Sequence, residues 1–283
     1  MLLTLSRKAI AAFLAMLILS GCAGRVSFQN AAPKSPVPIP ATLYRPPGAG
    51  PFPAVVLLHG CEGLTASHHT WARWFRERGY VALVVDSWGP RRLTEICSFE
   101  GPEIDRFWRF DDAMGALSYL QSLGFVEPTR IGAIGWSNGG VYSMAVVNGP
   151  SLERAVKRGV RLPNPGFAAA VAVYPGGCFS LVEERVVKPL LVLIGEADDW
   201  TLAAECATMV NAMRSRGADA SIVTYAGAYH YFDVEGQRLE VLPNVENRNR
   251  PGKCCGATVG YNAAAAADAH RRVDEFFARH LKR

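Results

Sequence analysis

A serine set among glycines is the first feature of this chain that can do chemistry. Gly135-Trp136-Ser137-Asn138-Gly139-Gly140 stands directly after the apolar run RIGAI (130–134) and before the helix-like VYSMAVV (141–147). A strand-to-helix turn tight enough to present a serine leaves no room for side chains beside it, which is what the glycines supply. The helix start that follows offers backbone N–H groups to negative charge. A serine hydroxyl is a weak nucleophile and needs a histidine base that a carboxylate orients. In the chain order nucleophile, acid, histidine, Asp198 in Gly195-Glu196-Ala197-Asp198-Asp199 and His230 in Gly227-Ala228-Tyr229-His230-Tyr231-Phe232 each follow an apolar run. Asp199 is the rival acid and Glu196 a weaker one. His68, His69, His270 and His280 read as surface or capping residues.

A developing oxyanion needs two preorganised donors. One is expected from the N–H of Asn138, next after the serine. The other is expected from the N–H of Cys61 in His59-Gly60-Cys61-Glu62-Gly63, the loop after AVVLL (54–58). The His59 side chain is expected to serve that turn structurally. A thiol nucleophile at Cys61 is the lesser alternative, because the residue lacks the glycine-flanked turn.

These groups converge only if the elements between them form one sheet. Ala54–Leu58, Val81–Val85, Arg130–Ile134, Phe167–Val173 and Leu190–Ile194 are short, almost continuously apolar runs, as parallel strands covered on both faces must be. Helical segments are expected between them, including 105–123 and 202–216. A last helix is expected to be capped by Asn262, with Ala269, Val273, Phe276, Phe277 and Leu281 at helical spacing. Strands alternating with helices predict an α/β fold: a doubly wound, mostly parallel sheet with helices on both faces, in a single domain. Residues 149–166 and 233–260 fit the alternation badly and are expected to be loops or caps over the sheet.

The amino-terminal segment has a different character. Arg7 and Lys8 precede an apolar run from Ala9 to Leu19, and Leu19-Ser20-Gly21-Cys22 follows. A run of about ten apolar residues behind a positive start reads as an export signal, too short to span a membrane. Cys22 after small residues resembles the lipobox of bacterial lipoproteins, in which the signal is removed and the cysteine is acylated. That resemblance implies signal peptide 1–21 and lipidation at Cys22. It places the chain in the bacterial cell envelope, on the periplasmic side, and Ala23 favours the outer membrane over the inner. The stretch to Pro40, rich in Pro, Ala and Ser, is expected to be a semi-rigid tether (22–40) leading to a domain at 41–283.

Processing also changes the composition. The formal charge of +5 includes Arg7 and Lys8, so two charges leave with the signal, and no basic cluster suits nucleic acid. The seven cysteines become six in the folded part: Cys61, Cys97, Cys178, Cys206, Cys254 and Cys255. An oxidising compartment favours disulfides among them, with the pairing open. Cys254 and Cys255 are expected to bond to two different partners, since a bridge between neighbours strains the backbone.

Taken together, LYRPPGAGPFPAVVLLHGCEGL (43–64), GWSNGG, GEADDWT (195–201) and YAGAYHYFD (225–233) resemble the dienelactone hydrolase family of α/β-hydrolases, from about Thr42 to Leu281. The resemblance implies a hydrolase of lactones or other carboxylic esters that uses no metal and no cofactor. The best-known members carry cysteine at the elbow, where this chain has Ser137. They also bind a substrate carboxylate through arginines, one of them shortly after the histidine. Here Asp233 lies in that region, and Arg91 with Arg92 is the candidate basic wall. Trp88, Trp136, Tyr229 and Tyr231 are expected to flank the site and suit an apolar or aromatic acyl group. The expected reaction is ester or lactone hydrolysis through an acyl-enzyme on Ser137. Peptidase or amidase chemistry on the same triad is one alternative, and a non-catalytic envelope binding protein is another.

Overall fold

The computed structural model describes residues 23–282 apart from 103, 106 and 182–184. The expected signal peptide and Cys22 lie outside the described residues. Six parallel strands carry the core: β3 (Phe52–Leu58), β4 (Val81–Val85), β5 (Val126–Trp136), β6 (Ala169–Val173), β7 (Leu190–Gly195) and β8 (Ala220–Tyr225). Every residue of β4, β6 and β7 is buried, whichever face its side chain takes, which explains why these strands read as unbroken apolar runs.

Helices cover both faces. On one, α1 (Ala66–Glu77) and α6 (Ala263–Leu281) pack together, with Phe75 against Phe277 and the His270 ring stacked 3.8 Å from that of Trp71. Asn262 caps α6 by accepting the Ala265 N–H. Gly132 of β5 faces this helix, where a Cβ would meet the Phe277 ring at 2.6 Å. The other face holds α2 (Trp108–Gln121), α3 (Asn138–Ala145) and α5 (Ala203–Ser215).

The expected tether is part of the sheet. β1 (Ala23–Gln29) and β2 (Pro38–Tyr44) form an antiparallel hairpin whose second strand pairs with β4, giving the order β1-β2-β4-β3-β5-β6-β7-β8. Proline content suggests a free extended segment, but the alternation wins. Phe28, Ile39 and Ala41 are buried while Ser27, Gln29 and Pro40 are not. The β4 register covers Ala41–Tyr44 of β2, so neither Pro38 nor Pro40 occupies a paired position on that side. Asn30 locks the hairpin: its Oδ1 accepts the Val37 N–H at 2.9 Å and its Nδ2 donates to Asp112 of α2 at 3.0 Å.

The two irregular stretches also hold regular structure. Residues 149–166 begin with α4 (Gly149–Lys157), capped by Asn148. Residues 233–260 contain a small antiparallel pair, β9 (Glu240–Leu242) with β10 (Ala257–Val259).

Disulfides join Cys61 to Cys97 and Cys178 to Cys206. Cys254 and Cys255 bond to each other, against the expectation of two separate partners. Among the described residues the other four cysteines pair among themselves, which leaves each of the neighbours only the other.

Candidate active site

β5 runs into α3 through Ser137, whose φ of 50° and ψ of −114° lie where a side-chain-bearing residue is strained. The surrounding structure enforces that turn. A Cβ on Gly135 would press on the backbone of Gly139, and one on Gly139 would press on the carbonyls of Leu58 and His59. The Ser137 N–H is held by the Val173 carbonyl of β6 at 2.9 Å. Ser137 and Asn138 line an open cavity of about 320 Å³ together with Cys61, Pro175, Trp200 and Arg248.

The acid and the histidine come from the ends of neighbouring strands. Asp198 follows β7 and His230 follows β8, and His230 Nδ1 lies 2.7 Å from Asp198 Oδ2, with both side chains fully buried. The carboxylate is itself fixed: Oδ1 accepts the N–H groups of Trp200 at 3.0 Å and Thr201 at 2.9 Å, and Oδ2 lies 2.9 Å from Thr201 Oγ1. The imidazole sits between the rings of Tyr174 (4.4 Å between centroids) and Trp200 (4.9 Å). Its Nε2 is buried with no hydrogen-bond partner among the described residues, so the link to Ser137 Oγ is not made in this structure. Asp199 turns the other way, accepting from Thr258 and Arg250 and pinning the 244–258 segment over the acid loop.

The loop after β3 lies beside the serine. Cys61 lines the same cavity, its carbonyl accepts the Ile96 N–H and Trp88 Nε1–H, and its sulfur ties it to Cys97. His59 serves the turn: Nδ1 donates to the Gly60 carbonyl at 2.7 Å and Nε2 accepts the Ser87 N–H at 3.2 Å. Burial holds its pKa well below the ordinary histidine range, which keeps the ring neutral. Among the described residues the only group of potential metal ligands is Cys61, Glu62 and Cys97, and the disulfide leaves it no thiolate.

The expected substrate-contacting residues do not line the serine cavity. Arg91 is engaged in a bidentate pair with Asp112 at 2.7 and 2.8 Å, and also donates to the Ser87 carbonyl. Trp88 is buried behind the Cys61 loop, and Trp136 is buried with its Nε1–H on Asp233. Tyr231 lies on a second cavity, of about 600 Å³, with its hydroxyl 3.3 Å from Glu62. Trp136 and Tyr231 adjoin the serine and the histidine in sequence, and the Tyr231 ring stands 5.1 Å from that of His230, but the Trp88, Arg91 and Trp136 side chains are engaged within the protein. The residues that do line the serine cavity include Trp200, from the acid loop itself, and Phe179 and Arg248, contributed by segments with no motif of their own. Arg248 is ion-paired with Glu205 and lies over the Phe179 ring.

Glu62 is a further acid of the site that motif reading passed over, although it adjoins Cys61. Burial raises its pKa above the ordinary carboxylate range, opposed by a backbone hydrogen bond, His230 and Tyr231.

A parallel sheet that presents a strained serine between strand and helix, with a buried Asp–His pair two and three strands along, defines an α/β-hydrolase. The pattern of the dienelactone hydrolase family matches residues 39–281. The chain belongs to that family, and so to the carboxylic ester hydrolases. A Bradyrhizobium protein named as a probable 2-oxo-3-(5-oxofuran-2-ylidene)propanoate lactonase is 24% identical over 197 residues, covering 68% of this chain and 78% of its own. Among solved structures, a dienelactone hydrolase-like promiscuous phosphotriesterase from metagenomic libraries superposes with a TM-score of 0.65 at 18% identity, covering 92% of this chain and 100% of its own. Esterase 2 of Thermogutta terrifontis, phosphorylated by paraoxon, gives a TM-score of 0.62 at 17% identity, over 92% of this chain and 95% of its own.

Proposed function

We propose that this chain hydrolyses a small carboxylic ester or lactone through an acyl-enzyme on Ser137. The observation that carries the reading is the buried His230, held at Nδ1 by Asp198 and left unpartnered at Nε2. With substrate bound, Ser137 Oγ attacks the carbonyl carbon as His230 Nε2 takes its proton, and apo geometry that is loose at this link tightens in the complex. Asp198 holds the tautomer and stabilises the imidazolium. The N–H groups of Cys61 and Asn138 receive the tetrahedral oxyanion. His230 then returns the proton to the leaving alcohol, and water attacks the acyl-enzyme by the same route in reverse. The lactonase named among the relatives supports a cyclic ester as one substrate form.

The test is turnover of p-nitrophenyl acetate and butyrate by the wild type and Ser137→Ala, with fluorophosphonate labelling mapped by mass spectrometry. The wild type is expected to turn over and to label at Ser137, and the variant to do neither. Equal rates in both proteins with no label would sink the proposal.

We also propose that Cys22 is acylated and holds the enzyme on the periplasmic side of the envelope, at the outer membrane. The support is the lipobox-like Leu19-Ser20-Gly21-Cys22. Mass spectrometry of envelope-extracted protein is expected to find an acylated Cys22 as the first residue; any other mature start refutes the anchor.

A further inference from the structure

Arg109 of α2 is fully buried, and its hydrogen bonds go to neutral oxygens rather than to a carboxylate. Nη1 donates to Asn138 Oδ1 at 2.5 Å and Nη2 donates to the His59 carbonyl at 2.6 Å. The two acceptors lie on the two loops that carry the proposed oxyanion donors: Asn138 itself, and His59, two residues before Cys61. Asp112, on its own helix, is already occupied by Arg91 and Asn30, and Glu62 attracts the guanidinium without hydrogen-bonding to it. Among the described residues Nε has no partner, and the guanidinium carbon stands 4.9 Å from the Trp88 ring and 5.3 Å from that of Tyr142. Burying a cation without an ion pair is costly, so a fold that keeps one gains something specific from it.

We infer that Arg109 is a positioning residue for the oxyanion hole, a rigid fork that fixes the spacing of the Cys61 and Asn138 N–H groups and keeps positive charge behind them. The inference rests on the hydrolase reading of Ser137. A planar guanidinium suits the task, because its two amino groups hold two acceptors at a set separation whereas an ammonium is a single point charge. Burial draws the Arg109 pKa down to about 10, so the group stays cationic at neutral pH. As the substrate carbonyl becomes an oxyanion, charge builds up where the two loops meet. Donors already in place then need no reorganisation, so the benefit falls on the transition state and leaves ground-state binding nearly unchanged.

The test compares Arg109→Met, Arg109→Lys and Asn138→Ala in the full-length mature enzyme with p-nitrophenyl butyrate. Arg109→Met is expected to lower kcat by about 100-fold with KM within about threefold, the scale of losing one oxyanion donor. Arg109→Lys should recover part of that loss, since it can hold one acceptor. Asn138→Ala keeps its N–H but loses the Oδ1 tie, and should cost about tenfold in kcat. Affinity for a butyl boronic acid, which forms a tetrahedral adduct on Ser137, should fall in step with kcat/KM across the series, while inhibition by butyrate should not. Full kcat in folded Arg109→Met, or a loss carried by KM alone, overturns the inference. If Arg109→Met does not fold, Asn138→Ala decides: unchanged kcat and boronate affinity overturn it. A wild type that neither turns over nor labels at Ser137 refutes the hydrolase reading instead, a distinct result.

Discussion

Replacing Asp233 tests how the nucleophile and histidine loops are held together. Its Oδ2 accepts the indole N–H of Trp71 at 2.9 Å and of Trp136 at 2.8 Å, and its Oδ1 accepts the Tyr174 hydroxyl at 2.7 Å. One buried carboxylate therefore joins α1, the residue before Ser137, the tyrosine beside His230 and the histidine loop. Burial, followed by Asp233 itself, pushes the Tyr174 pKa well above the ordinary phenol range, so that hydroxyl remains a donor. A hydrogen bond to a charged group contributes about 1.5–3 kcal/mol, and three sharing one acceptor are not additive. Asp233→Leu leaves three buried donors unsatisfied and should cost about 4–6 kcal/mol. Asp233→Asn behaves differently. Its amide oxygen can keep both indoles and its NH2 can donate to the Tyr174 oxygen, so the loss should be about 1–2 kcal/mol, mainly the charge assistance. Urea unfolding followed by tryptophan fluorescence measures both, and the changed surroundings of Trp71 and Trp136 should also shift the native emission. At about 2–4 °C per kcal/mol, the leucine variant should melt at least about 8 °C below wild type. A leucine variant within about 1 kcal/mol of wild type would refute the reasoning.

Three further outcomes are expected. Asp198→Asn should preserve the fold and lower kcat on the order of 10³–10⁴-fold by favouring the wrong His230 tautomer, and Asp199→Asn should leave kcat within a few-fold; equal effects would show that the acid is misassigned. Cys61→Ser/Cys97→Ser opens a loop with a sequence separation of 36 and should cost about 4 kcal/mol in urea stability, with a drop in kcat because Cys61 bears a proposed oxyanion donor. Acid should destabilise the fold through His68, whose pKa burial lowers from 6.5 to about 3. The unfolded chain takes up that proton near pH 6.5 and the folded chain does not, so the stabilisation is complete above pH 6.5 and is lost as pH falls toward 3. The slope is about 1.4 kcal/mol per pH unit for this histidine. His59 acts in the same sense, and the raised Glu62 acts oppositely, favouring the fold at low pH. Urea titrations at pH 7, 6, 5 and 4 would read the slope, and His68→Gln should reduce it.

The parts legible in the sequence were those fixed by local rules. Ser137 could be located because only a glycine-flanked residue survives between β5 and α3. The buried strands could be located because a strand covered on both faces cannot hide its composition. The Asp198–His230 contact was foreshadowed by strand order, since the ends of β7 and β8 are neighbours. What escaped depended on contacts distant in sequence. Arg91 follows a strand end as a binding arginine would, yet its direction is set by Asp112, 21 residues on. Arg248 reaches the serine cavity only because Asp199, Asn247 and Trp200 stitch its loop down. The prolines of residues 33–40 outweighed the alternation of Phe28, Ile39 and Ala41, which becomes visible only when the two short strands are paired.

That pairing alters what an acylated Cys22 would mean in space. An extended tether over residues 23–40 would reach about 56 Å at about 3.1 Å per residue, enough for the catalytic domain to sweep a wide volume beside the bilayer. With β1 beginning at Ala23, that slack is folded into the sheet edge. The globule would then sit against the lipid headgroups with a restricted tilt, and substrates would approach from a fixed side, including any that travel in the membrane surface.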